Sequence, residues 1–324
     1  MKVAIIGYGN VGMMVFNQLL RMPEIHQLVL CGRNRDKIDG ELADFKDFMA
    51  LYPEIKTKVD GGGYEKTAGA DVLIYAAGPP VRKGCADRMS LAEVGVEAAR
   101  EVSMELNKYN NEAAIVVISN PVDILVSAFV KFTGRPREKV IGTGTLLDTA
   151  RLVRYLADFL DLQPRDVVTY VLGEHGDSSC IIWSWTQLLG MTVDGFLSSQ
   201  MGENIRLSRE KLQDVIRRAG LNIFLRKGST SSGVAAAAAR IVSALLSDTH
   251  EIMPVSVVLE GEYGISGVAL SVPCFVDSNG ATVINGLKLS EDESRALEAS
   301  AEVIRKNTEG LLTMILPPPS QSNI

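Results

Sequence analysis

Apolar residues fall along this chain in short unbroken runs, set apart by glycine turns and by stretches of helical period. Val3-Ala4-Ile5-Ile6 is such a run and reads as a buried strand. Gly7-Tyr8-Gly9-Asn10-Val11-Gly12 follows at once, and residues 13–20 continue as a helix with Pro23 just beyond. The same rhythm predicts strands at Gln27–Cys31, 71–76 and 114–119. The apolar-rich run 167–172 reads as another strand, and Leu146-Leu147-Asp148-Thr149-Ala150-Arg151-Leu152 has helical composition. The alanines at 235–239 read as a tightly packed helix. Residues 290–312 carry apolar positions at helical intervals, with Ser290 and Glu293 spaced as a capping box, and the polar, proline-containing tail 317–324 reads as frayed.

The first of these turns has chemical content. G-x-G-x-x-G between a strand and a helix is the context in which the motif holds a dinucleotide. Gly7 permits the tight turn, Gly9 lets a pyrophosphate approach the backbone, and Gly12 lets helix and strand pack closely. Asn10 and Val11 lie between these glycines in the candidate cofactor turn, and the N-terminus of the helix that follows supplies free N–H groups to the phosphates. Strands alternating with helices imply a doubly wound parallel sheet. The expected organisation is an α/β chain: a Rossmann-type dinucleotide-binding domain over residues 1–145, then an α+β substrate or catalytic domain over 146–324. At the end of the second strand stands Gly32, where an acidic residue would accept the ribose hydroxyls of NAD. Gly32 leaves room for a 2′-phosphate, and Arg33 and Arg35 supply guanidiniums to bind it. NADP(H) is therefore the expected cofactor, with NAD(H) as the alternative.

Composition narrows the class. With 324 residues, 46% hydrophobic and 22% charged, the chain suits a soluble globular enzyme. A net charge of −6 argues against nucleic acid as a partner. No apolar run reaches the ~20 residues that cross a bilayer, so no membrane partner is expected, and the start is too short for a signal peptide. Cys31, Cys85, Cys180 and Cys274 lack paired or metal-ligand spacing, which predicts no disulfide, no metal and a reducing, cytoplasmic setting. Cys85 lies in a polar loop where a reactive thiol is conceivable, though redox sensing is not the expected role.

Histidine is scarce, at 26, 175 and 250 only. His175 stands in Gly173-Glu174-His175-Gly176 after an apolar run, where an imidazole at a strand end can exchange protons near neutral pH. Asp148 and Arg151, three apart on a helix, share one face. A carboxylate beside an imidazole fixes its tautomer and steadies its charged form. An arginine on that face can grip a substrate carboxylate. Trp183 and Trp185 alternate as strand residues do, or sit near an interface, with core packing the expected role. His26 and His250 lie outside any constellation.

Together these segments resemble the L-lactate/L-malate dehydrogenase family of L-2-hydroxyacid dehydrogenases, including its L-2-hydroxyisocaproate branch. The likeness runs through Gly7–Gly12, Ala76-Ala77-Gly78, Ile118-Ser119-Asn120-Pro121-Val122-Asp123, 140–151, 173–177 and Gly261-Glu262-Tyr263-Gly264. The resemblance implies that His175 exchanges a proton with the substrate oxygen, that Asp148 orients it, and that Arg151 holds the substrate C1 carboxylate. It implies that Arg88, beyond the loop 79–87, polarises the carbonyl, and that Asn120 binds the substrate oxygen and helps place the nicotinamide. Ala77, Gly78 and Ser119 would line the cofactor groove. A small 2-oxo or 2-hydroxy acid is the implied substrate and a homodimer or homotetramer the implied assembly.

Two positions pull the substrate choice apart. Arg82 has the spacing of the malate-type specificity arginine, whereas Thr230 matches lactate-type members, which also differ from malate-type ones at Val234. Charge outweighs shape in such a pocket, so malate/oxaloacetate is placed first, with L-lactate or a branched L-2-hydroxy acid as the alternative. Val153 and Val168 stand where relatives activated by a sugar bisphosphate carry Arg and His, so no such activation is expected. The rivals from other classes are a catalytically silent dinucleotide-binding protein and a metal-requiring hydrolase of related fold. The full set of His175, Asp148, Arg151 and Arg88 speaks against the first, and the missing metal-ligand spacing against the second.

Overall fold

The computed structural model describes residues 1–78, 88–200 and 207–314. The first half runs β1 (Lys2–Ile6), α1 (Asn10–Leu19), β2 (Gln27–Cys31), α2 (Arg35–Ala50), β3 (Lys58–Gly62), β4 (Val72–Tyr75), α3 (Arg88–Tyr109), β5 (Ala114–Val117), α4 (Val122–Thr133) and β6 (Val140–Gly142). It carries the expected strands β1, β2, β4 and β5 and adds β3 and β6. β1, β4 and β5 are mainly apolar runs buried on both faces, as a parallel sheet covered by helices requires, whereas the edge strand β3 carries Lys58 and Asp60 and is buried only at its end. These six strands run parallel in the spatial order 3-2-1-4-5-6, so the order reverses between β1 and β4. The carboxyl ends of strands at such a reversal form a ligand crevice.

The second half begins with α5 (Leu146–Leu160), then the short strands β7 (Val167–Val168), β8 (Val171–Leu172), β9 (Cys180–Ile181), β10 (Gln187–Leu188) and β11 (Met191–Thr192). Helices α6 (Val193–Gln200), α7 (Arg209–Lys227) and α8 (Ser232–Ser247) follow. The chain then forms β12 (Glu251–Glu260), β13 (Ser266–Asp277), β14 (Gly280–Val283) and α9 (Glu291–Met314). The fold is α/β, with the doubly wound parallel sheet first and an α+β portion after it.

The two halves share a sheet. β12 pairs antiparallel with β6 through Ser256 opposite Gly142, and β13 and β14 extend the edge, giving nine strands in one sheet. Gly142 is obligatory at this junction, because a Cβ there would stand 2.8 Å from both Val122 and Val126 and 2.9 Å from Ser256. Apolar layers cover the sheet on both faces, and a third cluster under α5 and α7 includes Leu152, Leu156, Leu188 and Ile216.

Three local expectations shift. The run 167–172 is not one strand: it breaks at Thr169, whose hydroxyl lies 2.7 Å from that of Thr186, and Val168 stays 50% exposed. The tryptophans sit in a 3₁₀ turn, Trp183–Trp185, and not on a strand. Trp183 packs on the third cluster, while Trp185 Nε1–H donates to the Lys288 carbonyl at 2.9 Å. The first helix starts at Asn10, three residues before the expected start, with Gly9 as its N-cap. The capping box of α9 forms as its spacing predicts: Ser290 N–H donates to Glu293 at 2.9 Å and Glu293 N–H to Ser290 Oγ at 3.3 Å. The tail 317–324 lies outside the described residues.

Candidate active site

At the first turn, Gly7 has φ +113° and a Cβ there would meet Ala77 N at 2.7 Å, so β1 and β4 close on each other only through glycine. Gly12 lies so near the Gly7 carbonyl that a Cβ would reach it at 2.2 Å, whereas a Cβ on Gly9 would meet nothing within 4 Å. Gly9 therefore faces open space at the start of α1, and no side chain caps that helix. The N–H groups of Asn10 and Val11 are left for an anion. Ser119 Oγ–H donates to the Ala77 carbonyl at 2.7 Å, tying the ends of β4 and β5 together across this crevice. The cradle fits a dinucleotide: Gly7, Gly9, Asn10, Val11 and Gly12 on one side, Ala77, Gly78, Ser119 and Asn120 on the other.

The end of β2 is more crowded. Arg35 is held by Asp39 at 2.9 Å and by the Gly61 carbonyl at 2.6 Å. Arg33 is freer, 84% exposed at its side chain and 3.9 Å from Glu101. Gly32 packs against the Tyr8 ring. A cleft of about 320 Å³ opens beside Gly32, Arg33 and Tyr64, with Glu65 and Glu105 on its walls.

The second constellation assembles around α5. Asp148 is 7% exposed and has two partners: Arg151 Nη1–H donates at 2.7 Å to one oxygen, and His175 Nδ1 lies 2.7 Å from the other. The helical spacing of 148 and 151 puts both groups on one face, and that face points inward. With Nδ1 bound to a carboxylate, Nε2 is the nitrogen left to face a substrate. Burial, the largest single influence, disfavours the imidazolium of His175, but the charge and hydrogen bond of Asp148 and the charge of Asp123 outweigh it, so its pKa stands above the ordinary value. Burial also works against the Asp148 carboxylate, and His175 with Arg151 reverses that, holding it below the usual range.

The loop bearing His175 is pinned by residues that pattern reading did not single out. Gly173, at φ +96°, exchanges two backbone hydrogen bonds with Ser271, at 3.0 and 3.1 Å. Glu174 N–H donates to Ser300 Oγ at 2.8 Å. His175 N–H donates to Asp123 at 2.9 Å, and the other oxygen of Asp123 takes Ser256 Oγ–H at 2.5 Å. Asp123 is 2% exposed, and burial raises its pKa to about 6. The signal for this set lies in the apolar strands: Ser256 and Ser271 face each other in the β12/β13 ladder, each a polar residue amid apolar neighbours, and both are fully buried. A buried hydroxyl needs a partner, so such a pair marks a polar junction.

Thr230 lies in the turn between α7 and α8, which is set against the start of α5 because Gly233 abuts Leu147. A Cβ on Gly220 of α7 would stand 3.5 Å from Arg151, so that helix backs the guanidinium. Arg88 is the first residue of α3. Arg82, Cys85 and the loop 79–87 lie outside the described residues. His26 Nδ1 lies 3.1 Å from the terminal amine, and His250 stacks on Phe275 with Nδ1 2.8 Å from Asp277. Cys31, Cys180 and Cys274 are free thiols. Among the described residues no cluster of His, Cys, Asp and Glu could hold a metal, and no helix is long and apolar enough to cross a membrane.

Known proteins are similar to this chain over nearly its whole length. Residues 1–142 match the lactate/malate dehydrogenase NAD binding domain, and residues 145–314 match the alpha/beta C-terminal domain of the same enzymes. L-lactate dehydrogenase 2 of Clostridium acetobutylicum is 34% identical over 313 residues, covering 96% of this chain and 98% of that protein. An L-lactate dehydrogenase of Acetivibrio thermocellus is 34% identical, covering 94% and 95%. The crystal structure of the minor L-lactate dehydrogenase of Enterococcus mundtii superposes with a TM-score of 0.88 at 32% identity, covering 98% and 99% of the two chains. A lactate dehydrogenase from a deep-sea metagenome library of the Medee basin gives 0.89 at 30% identity, covering 96% and 98%. The chain belongs to the lactate/malate dehydrogenase family.

Proposed function

We propose that this protein is an L-2-hydroxyacid dehydrogenase that interconverts a monocarboxylic 2-oxo acid of the pyruvate class and its L-2-hydroxy acid. The observation that carries the reading is the buried Asp148 carboxylate holding His175 Nδ1 and Arg151 at 2.7 Å each. A protein that only binds a dinucleotide has no use for a proton carrier whose tautomer is fixed and whose charged form is stabilised.

In this reading Arg151 binds the substrate carboxylate in a fixed orientation, backed by α7. His175 then hands its Nε2 proton to the C2 carbonyl oxygen, and Asp148 steadies the imidazolium until that moment. Arg88 and Asn120 stabilise the charge that grows on that oxygen. The bound nicotinamide cofactor supplies the hydride that reaches C2. In the oxidative direction His175, neutral at Nε2, takes the hydroxyl proton back.

The malate preference rested on Arg82. The relatives above are named lactate dehydrogenases, and Thr230 beside α5 matches that side, so the monocarboxylic substrate stands first and oxaloacetate second. NADP(H) remains the proposed cofactor, with NAD(H) as the alternative, because position 32 at the end of β2 carries no carboxylate for a ribose diol and the Arg33 guanidinium is exposed. The proposed assembly is a homo-oligomer. Its support is the last two turns of α7, residues 221–227, exposed all round with Leu221 at 57% and Leu225 at 72%, an apolar surface that a second copy would cover.

The test is a panel of pyruvate, 2-oxoisocaproate and oxaloacetate against both reduced cofactors, with the His175→Asn variant alongside. Turnover of the monocarboxylic acids, lost in the variant while cofactor still binds, supports the reading. Variant rates within about tenfold of the parent overturn it, since general acid–base catalysis is worth about 10²–10⁴.

A further inference from the structure

Tyr8 stands inside the glycine turn, and its ring packs on the backbone of Gly32 at the end of β2. A Cβ at position 32 would lie 2.1 Å from Tyr8 Cε1 and 2.8 Å from Cδ1. No side chain fits there while the ring keeps its place. Tyr8 Oη accepts the Asn34 N–H at 3.3 Å, and Lys37 Nζ lies 5.1 Å from the ring centroid. Asn34 in turn caps α2 by accepting the Lys37 N–H at 3.0 Å, so the turn after β2, the ring and the ammonium form one corner. The backbone donor satisfies the phenol oxygen from one side, and among the described residues no acceptor takes the hydroxyl hydrogen.

We propose that Tyr8, Lys37 and Arg33 form a reading site for a 2′-phosphate on the adenosine ribose of the cofactor, with Tyr8 filling the volume that a ribose-binding carboxylate at position 32 would need. This rests on the dinucleotide reading of the glycine turn and makes its cofactor preference specific. A carboxylate at the end of β2 accepts ribose hydroxyls and repels a phosphate. The Tyr8 ring excludes that carboxylate sterically and replaces an acceptor with an O–H donor. A phosphate also needs cations. Arg35 is committed to Asp39 and the Gly61 carbonyl, which leaves the exposed Arg33, next to Gly32 in the chain, and the Lys37 ammonium at the phenol ring. Gly32 is glycine because Tyr8 occupies its side-chain space, so positions 8 and 32 are coupled.

The experiment measures binding without hydride transfer. The intact protein is titrated calorimetrically with ADP-ribose and with its 2′-phosphorylated form, in the parent, Tyr8→Phe, Lys37→Gln, Gly32→Asp and the Tyr8→Ala/Gly32→Asp double variant. The parent is expected to bind the 2′-phosphorylated ligand more tightly. Tyr8→Phe should cut that preference about tenfold, the scale of one hydrogen bond to a charged group, and Lys37→Gln should cut it less. Gly32→Asp alone should weaken both ligands, because ring and carboxylate compete for one volume. The double variant should recover ADP-ribose binding while losing the phosphate preference. A parent preference left unchanged by Tyr8→Phe and Lys37→Gln overturns the assignment to these side chains and leaves the cofactor reading standing. A parent that favours ADP-ribose overturns both. Equal behaviour of Gly32→Asp with and without Tyr8 overturns the coupling.

Discussion

Replacing Asp148 with Asn keeps the size of a buried side chain, removes its charge and turns one of its two acceptor oxygens into an amide donor. The parent carboxylate sits 2.7 Å from His175 Nδ1 and 2.7 Å from Arg151, with its side chain 9% exposed. Two unit charges about 4 Å apart at an effective dielectric near 20 attract by about 4 kcal/mol. If half of that is lost to rearrangement, about 2 kcal/mol of support for the imidazolium disappears, roughly thirtyfold in rate. Burial then works against the charged ring with only Asp123 opposing it, so the His175 pKa falls. The Asn amide can also donate to Nδ1, which leaves the proton on Nε2 and removes the base needed for hydroxy-acid oxidation. Both directions should therefore slow, by between about 30-fold and 10⁴-fold. In the reductive direction the limb on which kcat/KM falls with rising pH should move to lower pH. The assay is steady-state rates from pH 5 to 10 in both directions, with cofactor affinity measured by fluorescence as a check on folding. Cofactor affinity should stay near that of the parent. A fall smaller than about fivefold, or a pH profile that does not move, would refute the reasoning.

Three further outcomes follow from buried charge and from one missing cation pair. Burial raises the Asp123 pKa from 3.8 to about 6. The native state therefore holds the extra proton between those values, and stability falls as pH rises through that window, by about 3 kcal/mol. Asp123→Asn should gain about that much on the parent between pH 3.5 and pH 7.5 in urea unfolding, and a constant difference across that range would contradict it. Arg137 binds Glu262 through two nitrogens in a partly buried pair, holding that carboxyl down from 4.5 to about 2. That pairing stabilises the fold above the ordinary carboxylate pKa and fades as pH drops toward 2. Arg137→Ala should cost about 3 kcal/mol at pH 7 and clearly less at pH 3, and an equal cost at both pH values would rule the pair out as the cause. Fructose 1,6-bisphosphate, titrated into the oxo-acid assay, should leave the Michaelis constant unchanged, because Val153 and Val168 offer no charge to a phosphate; a lowered constant would count against this.

Local patterns carried β1, β2, β4 and β5, because buried strands are short and apolar and that does not depend on distant residues; β3, with Lys58 and Asp60, and the three-residue β6 leave no such run. The patterns also carried Asp148 with Arg151, since a three-residue spacing suffices to put both on one helix face. What they did not carry is convergence across the sheet. Asp123 is 52 residues from His175 and 133 from Ser256, yet one carboxylate bonds both. That contact exists only because β12 joins β6 and so brings Ser256 beside Gly142 and the start of α4. That pairing of a strand from the second half with one from the first leaves no periodic trace in the sequence, because the partners are so far apart along the chain. The junction has a mechanical consequence. Ser119 and Asn120 of the cofactor crevice lead directly into α4, and Asp123 in its first turn holds the backbone of His175. Asp123 thus ties that segment to the backbone of His175, while Asp148 holds the same histidine by its ring from α5. Held at backbone and ring by different helices, His175 has little freedom to drift, which suits the proton transfer proposed for it.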